Sequence, residues 1–163
     1  MKIVSLRVNG AGQAFIARPG TTLLLALREQ LGLTGAKRGC AQGACGSCTV
    51  LLDGQPVVSC LVPAVTVDGA EIATIEGLAD GQVLSDVQQA FLDGFATQCG
   101  FCTPGMIMSA EALLDRNPDP TRDEVNEAIS GNVCRCTGYE PIVSAVLDAA
   151  ARRRSRAGEG AKL

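Results

Sequence analysis

Two rhythms divide the chain. Through about residue 76 apolar and polar positions alternate as in strands, and beyond it apolar residues recur every three or four positions as in helices. Residues 2–8 and 13–18 read as strands joined at Asn9-Gly10, a strong hairpin signal. Thr21-Thr22 can cap a short helix that carries Leu23, Leu24, Leu27 and Leu31 and stops at Gly32. A glycine-rich loop follows, GAKRGCAQGACGSC over 35–48. Residues 48–53 and 56–62 read as strands around Asp53-Gly54, and 71–75 as a last one. That order predicts a small mixed sheet with one helix across it.

The stretch TIEGLADGQVLSD (74–86) marks a boundary, and the pattern after it is helical. Leu84, Val87, Phe91 and Phe95 form one stripe. Thr103-Pro104 reads as a cap with proline at the first helical position, and Met106, Ile107, Ala110, Leu113 and Leu114 carry that helix to Asn117-Pro118. Thr121 and Glu124 form a capping-box pattern for a third helix, closed by Gly131. Pro141 begins a fourth, with Ile142, Ala145, Val146 and Ala149 on one face. Four short helices in antiparallel pairs make a compact bundle. The tail ARRRSRAGEGAKL (151–163) is basic and then glycine-rich; Arg152, Arg153 and Arg154 suit a helix C-terminus electrostatically. The expected division is 1–76, 83–153 and a flexible basic tail over 154–163.

Composition changes this picture in one respect. The 163 residues are 47% hydrophobic and 19% charged, with only 3% aromatic and no Trp, so small cores must be filled by Leu, Val, Ile and Ala. Halves this small call for another stabiliser, and bound metal is one candidate. There is no histidine, which removes the commonest general base and excludes Cys/His zinc fingers and Rieske-type clusters. GAGQAF (10–15) starts like a dinucleotide fingerprint but has Phe15 where the third glycine belongs. No apolar stretch approaches the ~20 residues of a membrane span, and residues 1–8 lack the pattern of a secretory signal. A net charge of −3 with few aromatics argues against nucleic-acid binding. A cytoplasmic protein is expected, and eight cysteines in a reducing cytosol read as ligands rather than disulfides.

Those cysteines fall into two quartets. Cys40-x4-Cys45-x2-Cys48, completed by Cys60, has the plant-type [2Fe–2S] spacing. Gly39, Gly43 and Gly46 let the loop turn tightly and aim backbone N–H groups at sulfur. Cys99-x2-Cys102 and Cys134-x-Cys136 supply two pairs of thiolates, and a two-iron cluster needs two outer ligands per iron. A structural zinc site is the competing reading for each quartet. Arg135 either offsets cluster charge or is a solvated surface residue.

The stretches GCAQGACGSCTVLLDG (39–54), QCGFCTPGMIM (98–108) and GNVCRCTGY (131–139) together resemble the small iron–sulfur subunit of the molybdenum hydroxylases. That family includes xanthine dehydrogenases, aldehyde oxidoreductases, carbon monoxide dehydrogenases and 4-hydroxybenzoyl-CoA reductase, and the likeness spans residues 2–150. It implies an α+β fold: a plant-ferredoxin-like β-grasp domain (1–76) followed by an all-α four-helix bundle domain (83–153). It implies that all eight cysteines ligate two [2Fe–2S] clusters, the helical-domain cluster lying nearest a molybdenum–pterin cofactor that Gln98 and Cys136 contact. It implies an electron relay without catalytic residues of its own. Its partners would be a large molybdopterin-binding subunit and an FAD-binding medium subunit or external acceptor, in a complex such as a dimer of heterotrimers. The direction of flow is left open, since the reductases of the family run it in reverse. A free-standing two-cluster ferredoxin and a zinc-stabilised interaction module remain the alternatives; Gln98 beside the second quartet speaks against the former.

Overall fold

The computed structural model describes residues 1–160 and has the α+β architecture the two rhythms predict. Strands β1 (Lys2–Val8) and β2 (Ala11–Ala17) pair antiparallel, with Val4 opposite Phe15. Asn9 (φ 51°) and Gly10 (φ 78°) form the two-residue left-handed turn that suits a twisted hairpin. Asp53 (φ 49°) and Gly54 (φ 77°) do the same between β3 (Thr49–Leu52) and β4 (Gln55–Val58). Strand β5 (Glu71–Ala73) runs parallel to β1 and antiparallel to β3, giving the order β2-β1-β5-β3-β4. Val4, Leu6, Val8, Phe15, Val50 and Ile72 form one buried core with Leu23, Leu24 and Leu27.

Two local departures from the predicted elements matter. Helix α1 (Leu23–Leu25), capped by the Thr22 side chain, widens into a π-helical turn over Ala26–Gln30 instead of continuing regularly to Leu31. Gln30 on that turn bonds both the N–H and the C=O of Ile16, each at 3.1 Å, and so covers part of the β2 edge. The strand predicted over 56–62 ends at Val58, because Ser59 turns the chain: its N–H and hydroxyl both donate to the Cys48 carbonyl, at 3.3 and 2.7 Å. Cys60 therefore lies in a turn rather than on a strand.

The second half holds α2 (Asp86–Asp93), α3 (Thr103–Arg116), α4 (Arg122–Ile129) and α5 (Glu140–Gly160). Capping boxes at Ser85/Gln88 and Thr121/Glu124 start α2 and α4. Val87, Phe91, Met106, Ile107, Val125, Ile142 and Val146 build the bundle core. Helix α3 is buried without a break from Gly105 to Leu114, since it serves two cores. Ile107, Ala110 and Leu114 point into the bundle, while Met108 and Ala112 pack on Leu51 of β3. A helix used on all sides needs apolar or small residues all round.

The arginine run lies within α5, which extends into the segment expected as a tail. Residues 154–160 continue α5 as helix, and 161–163 lie outside the described residues. Arg152 pairs with Asp93 and Asp148 at 2.7 and 2.6 Å, Arg154 with Asp119 at 2.8 Å, and Arg156 with Asp86 at 3.0 Å. Arg153 pairs with Glu111 and, at 3.2 Å, with Asp115. Glu111 is only 5% exposed and also accepts the Ser85 hydroxyl at 2.8 Å. The run thus ties α5 to α2 and α3. Among the described residues no helix is long and apolar enough to cross a membrane.

Arg153→Ala leaves the buried Glu111 carboxylate without its cation. The expected loss is about 3 kcal/mol, the low end for a broken buried pair because Arg153 is itself partly exposed. It should show as a lower urea midpoint with an unchanged slope. An unshifted midpoint would mean that the arginines are idle surface charge.

Candidate metal centres

The first cysteine loop is shaped by left-handed residues at Ala41 (φ 55°), Gly43 (φ 80°) and Gly46 (φ 67°). They turn the chain around Cys40, whose Sγ accepts the N–H groups of Gln42 at 3.4 Å and Ala44 at 3.3 Å. These contacts, the Gln42 N–H first and the neighbouring Cys45 thiol second, hold the Cys40 pKa down to about 7. Cys48 and Cys60 form a second, buried pair, and burial together with the Cys60 neighbour pushes Cys48 up to about 11. Gly39 leaves room for Cys45: a methyl group there would come within 2.9 Å of Cys45 Sγ.

The second set is built from two loops at one end of the bundle. Cys99 and Cys102 lead into α3, and Cys134 and Cys136 lie between α4 and α5. Cys136 Sγ is 3.6 Å from Cys99 Sγ, a contact that raises the Cys136 pKa. Cys102 neighbours Cys134, and burial pushes Cys102 up to about 12. Burial also acts upward on Cys134, but the Thr137 hydroxyl and nearby backbone N–H groups outweigh it and leave that thiol below its ordinary value. The one-residue spacing of Cys134 and Cys136 thus gives one thiol to an inner pair and one to an outer pair.

Between the two sets lies a polar joint. The Asn132 side chain, 4% exposed, donates to the Gly46 carbonyl at 2.9 Å and to Thr49 Oγ1 at 3.3 Å, and accepts from Ser109 Oγ at 2.8 Å. A methyl group on Gly46 would lie 2.4 Å from the Gly131 carbonyl, and one on Gly105 would lie 2.4 Å from the Gly46 carbonyl. The next residue, Val133, donates its N–H to the Cys45 carbonyl at 2.9 Å. Phe101 closes the other side, its Cε1 3.5 Å from where a Gly39 Cβ would stand.

No disulfide joins any of the eight cysteines, whose sulfurs are drawn together as Cys40/Cys45, Cys48/Cys60, Cys99/Cys136 and Cys102/Cys134. Among the described residues no three His, Cys, Asp or Glu side chains gather as a single-ion site requires. Paired sulfurs suit a two-iron core, in which each iron takes two outer ligands, better than one tetrahedral ion. The backbone N–H groups aimed at Cys40 Sγ suit a cluster that gains negative charge on reduction. Gln98 and Cys136 are both exposed, at the surface end of the second set. Asn132, Thr137 and Tyr139 lie within GNVCRCTGY, where the cysteine spacing alone gives them no task. A polar residue fixed between a helix end and a cysteine loop is the signal that could have singled out Asn132.

Comparison with known proteins places both halves in one class. Residues 6–85 match the family described as "2Fe-2S iron-sulfur cluster binding domain", and residues 74–147 match "[2Fe-2S] binding domain". The nicotinate dehydrogenase small FeS subunit of Eubacterium barkeri is 49% identical over 149 residues, covering 91% of this chain and 95% of that protein. The xanthine dehydrogenase iron–sulfur-binding subunit of Escherichia coli O157:H7 is 49% identical, covering 89% and 92%. Quinoline 2-oxidoreductase from Pseudomonas putida 86 superposes with a TM-score of 0.91 at 50% identity, over 97% of this chain and 98% of that one. Aldehyde oxidoreductase from Desulfovibrio gigas gives 0.91 at 46% identity, over 96% of this chain and 18% of that one. The chain belongs to the small iron–sulfur subunits of the molybdenum hydroxylases, oxidoreductase subunits that transfer electrons through [2Fe–2S] clusters.

The paired thiols differ in ionisation, and that is measurable. A thiol held near 7 is about half thiolate at neutral pH, whereas one pushed to about 12 stays protonated. In the metal-free chain, iodoacetamide should label Cys40 first, with a rate that is half-maximal near pH 7, and Cys102 last. Equal labelling of all eight cysteines would contradict this geometry.

Proposed function

We propose that Cys40, Cys45, Cys48 and Cys60 hold one [2Fe–2S] cluster and Cys99, Cys102, Cys134 and Cys136 the other. On this reading the chain relays single electrons between a molybdenum–pterin site on a large partner subunit and a flavin subunit or external acceptor. The observation that carries it is the Val133 N–H bond to the Cys45 carbonyl, at 2.9 Å. One hydrogen bond and one peptide link join a residue of the first set, Cys45, to a residue of the second, Cys134. When bound, each cluster supplies a site that gains and loses one electron.

The residues around the sulfurs have distinct tasks. Gln42 and Ala44 offer N–H donors that favour negative charge at Cys40. Asn132, Gly46 and Gly105 fix the two loops against each other. The exposed Gln98 and Cys136 are the contacts for the pterin on the large subunit. Substrate chemistry belongs to that partner, in keeping with a chain that has no histidine. Residues 1–76 and 83–153 act as the two cluster-bearing units, with an FAD-binding medium subunit as the further partner. A dimer of heterotrimers is the assembly we favour. A reducing cytoplasm suits eight cysteines that serve as cluster ligands and form no disulfide.

The reading is tested by EPR of the dithionite-reduced protein, which should show two distinct [2Fe–2S] signals. Cys136→Ser should remove or distort one signal and slow turnover of the complex, while the signal of the Cys40–Cys60 set persists. If both signals and turnover stay normal in that variant, the assignment of Cys136 is wrong. Mass spectrometry of the gently purified complex should find a large molybdopterin-binding subunit; a chain that elutes alone with its iron intact would favour a free-standing ferredoxin.

A further inference from the structure

Two side chains that bind no cluster in the reading above close the loop carrying Cys134 and Cys136. Tyr139 has φ 69°, a left-handed conformation that is strained for a bulky residue. Its hydroxyl accepts the N–H of Cys134 at 2.9 Å and lies 3.5 Å from the Asn132 carbonyl, where its own proton can point. Its ring packs against the bundle core. The backbone N–H of Tyr139 donates to Thr137 Oγ1 at 3.2 Å, and Thr137 Oγ1 lies 3.2 Å from Cys134 Sγ.

The direction of that last bond follows from valence. Thr137 oxygen already accepts from Tyr139, so its single proton is free to donate. A cysteine that ligates metal is a thiolate with lone pairs and no proton. The Thr137 O–H therefore donates to Cys134 Sγ. Among the described residues, no other cysteine of the second set has a hydroxyl bonded to its sulfur. Cys134 is also buried, where an aimed dipole acts most strongly.

We propose that Thr137 and Tyr139 set the reduction potential of the second cluster. Thr137 donates its hydroxyl to the Cys134 thiolate, and Tyr139 is the positioning residue that holds both the hydroxyl and the Cys134 N–H in place. One added electron makes the sulfur more negative, so a fixed donor favours the reduced form and raises the potential. No proton is transferred; the hydroxyl keeps its hydrogen in both redox states. The strained backbone of Tyr139 is explained by this task, since its ring packs into the core while its hydroxyl reaches back to Cys134. The proposal rests on the assignment of Cys134 as a ligand.

An EPR-monitored redox titration of the full chain tests it. Thr137→Val should make reduction of the second cluster about tenfold less favourable, 59 mV for a one-electron couple. The Cys40–Cys60 cluster should not move. Thr137→Ser keeps the hydroxyl and should restore the wild-type value. Tyr139→Phe should shift the same cluster in the same direction by less. A Thr137→Val protein with both signals present and an unshifted potential overturns the proposal. Should that variant fail to assemble, Tyr139→Phe decides alone: a lowered potential supports the proposal and an unchanged one overturns it. A wild-type chain lacking the second [2Fe–2S] signal would be a different failure, that of the ligand assignment.

Discussion

The side chain of Asn132 is the point on which the arrangement of the two cysteine sets depends. It belongs to the helical half, but it satisfies the Gly46 carbonyl inside the first cysteine loop and is itself held by Ser109 of α3. Leaving a buried amide or carbonyl without a partner costs about 1–3 kcal/mol, so the joint has one favourable geometry rather than a range of them. Two glycines make room for it: the approach at Gly46 and at Gly105 leaves no space for a Cβ. Because Val133 follows directly, the same joint seats its N–H on the Cys45 carbonyl. The path between the two sets is therefore made of backbone, held at both ends, and does not rely on a mobile side chain.

Burial sorts the sulfurs along that path. Cys48, Cys60 and Cys134 are buried, Cys40, Cys45 and Cys102 are half-buried, and Cys99 and Cys136 are exposed. Desolvation opposes negative charge on the inner sulfurs, and where the chain stabilises a thiolate it does so by aimed donors: Gln42 and Ala44 at Cys40, Thr137 at Cys134. In the proposed assignment the exposed Cys99/Cys136 end is the one that faces the large subunit. The arginine run of α5 ties the bundle together through the buried Glu111 of α3 and the partly buried Asp86 of α2. A chain with so few aromatics builds two small cores and joins them through α3, whose Met108 and Ala112 reach the sheet while Ile107 and Leu114 fill the bundle.

Much of this was legible in the sequence because it is local. Asn9-Gly10 and Asp53-Gly54 dictate their turns, Thr121 and Glu124 dictate a helix start, and the cysteine spacings match the cluster-binding families. What was not legible is tertiary. Helix periodicity cannot show that Ala26–Gln30 widens into a π turn, since Gln30 is engaged by Ile16 of a strand distant in sequence. The arginine run was legible as suited to a helix end but its partners were not, since Arg153 meets Glu111 and Asp115, residues far from it in sequence. The spacing of Cys134 and Cys136 identifies them as ligand candidates but not that they part company, one toward Cys102 and one toward Cys99.

In the proposed assignment the Asn132–Gly46 joint holds the two clusters at one fixed separation for electron exchange. The most direct measurement is the magnetic interaction between the two reduced clusters, read by EPR in the wild-type chain and in Gly105→Ala, whose added methyl group displaces the Gly46 carbonyl. The account predicts a defined spin–spin interaction in the wild type that weakens or broadens in the variant while both signals persist. Two clusters that relax independently in the wild type, or an interaction indifferent to Gly105→Ala, would contradict it.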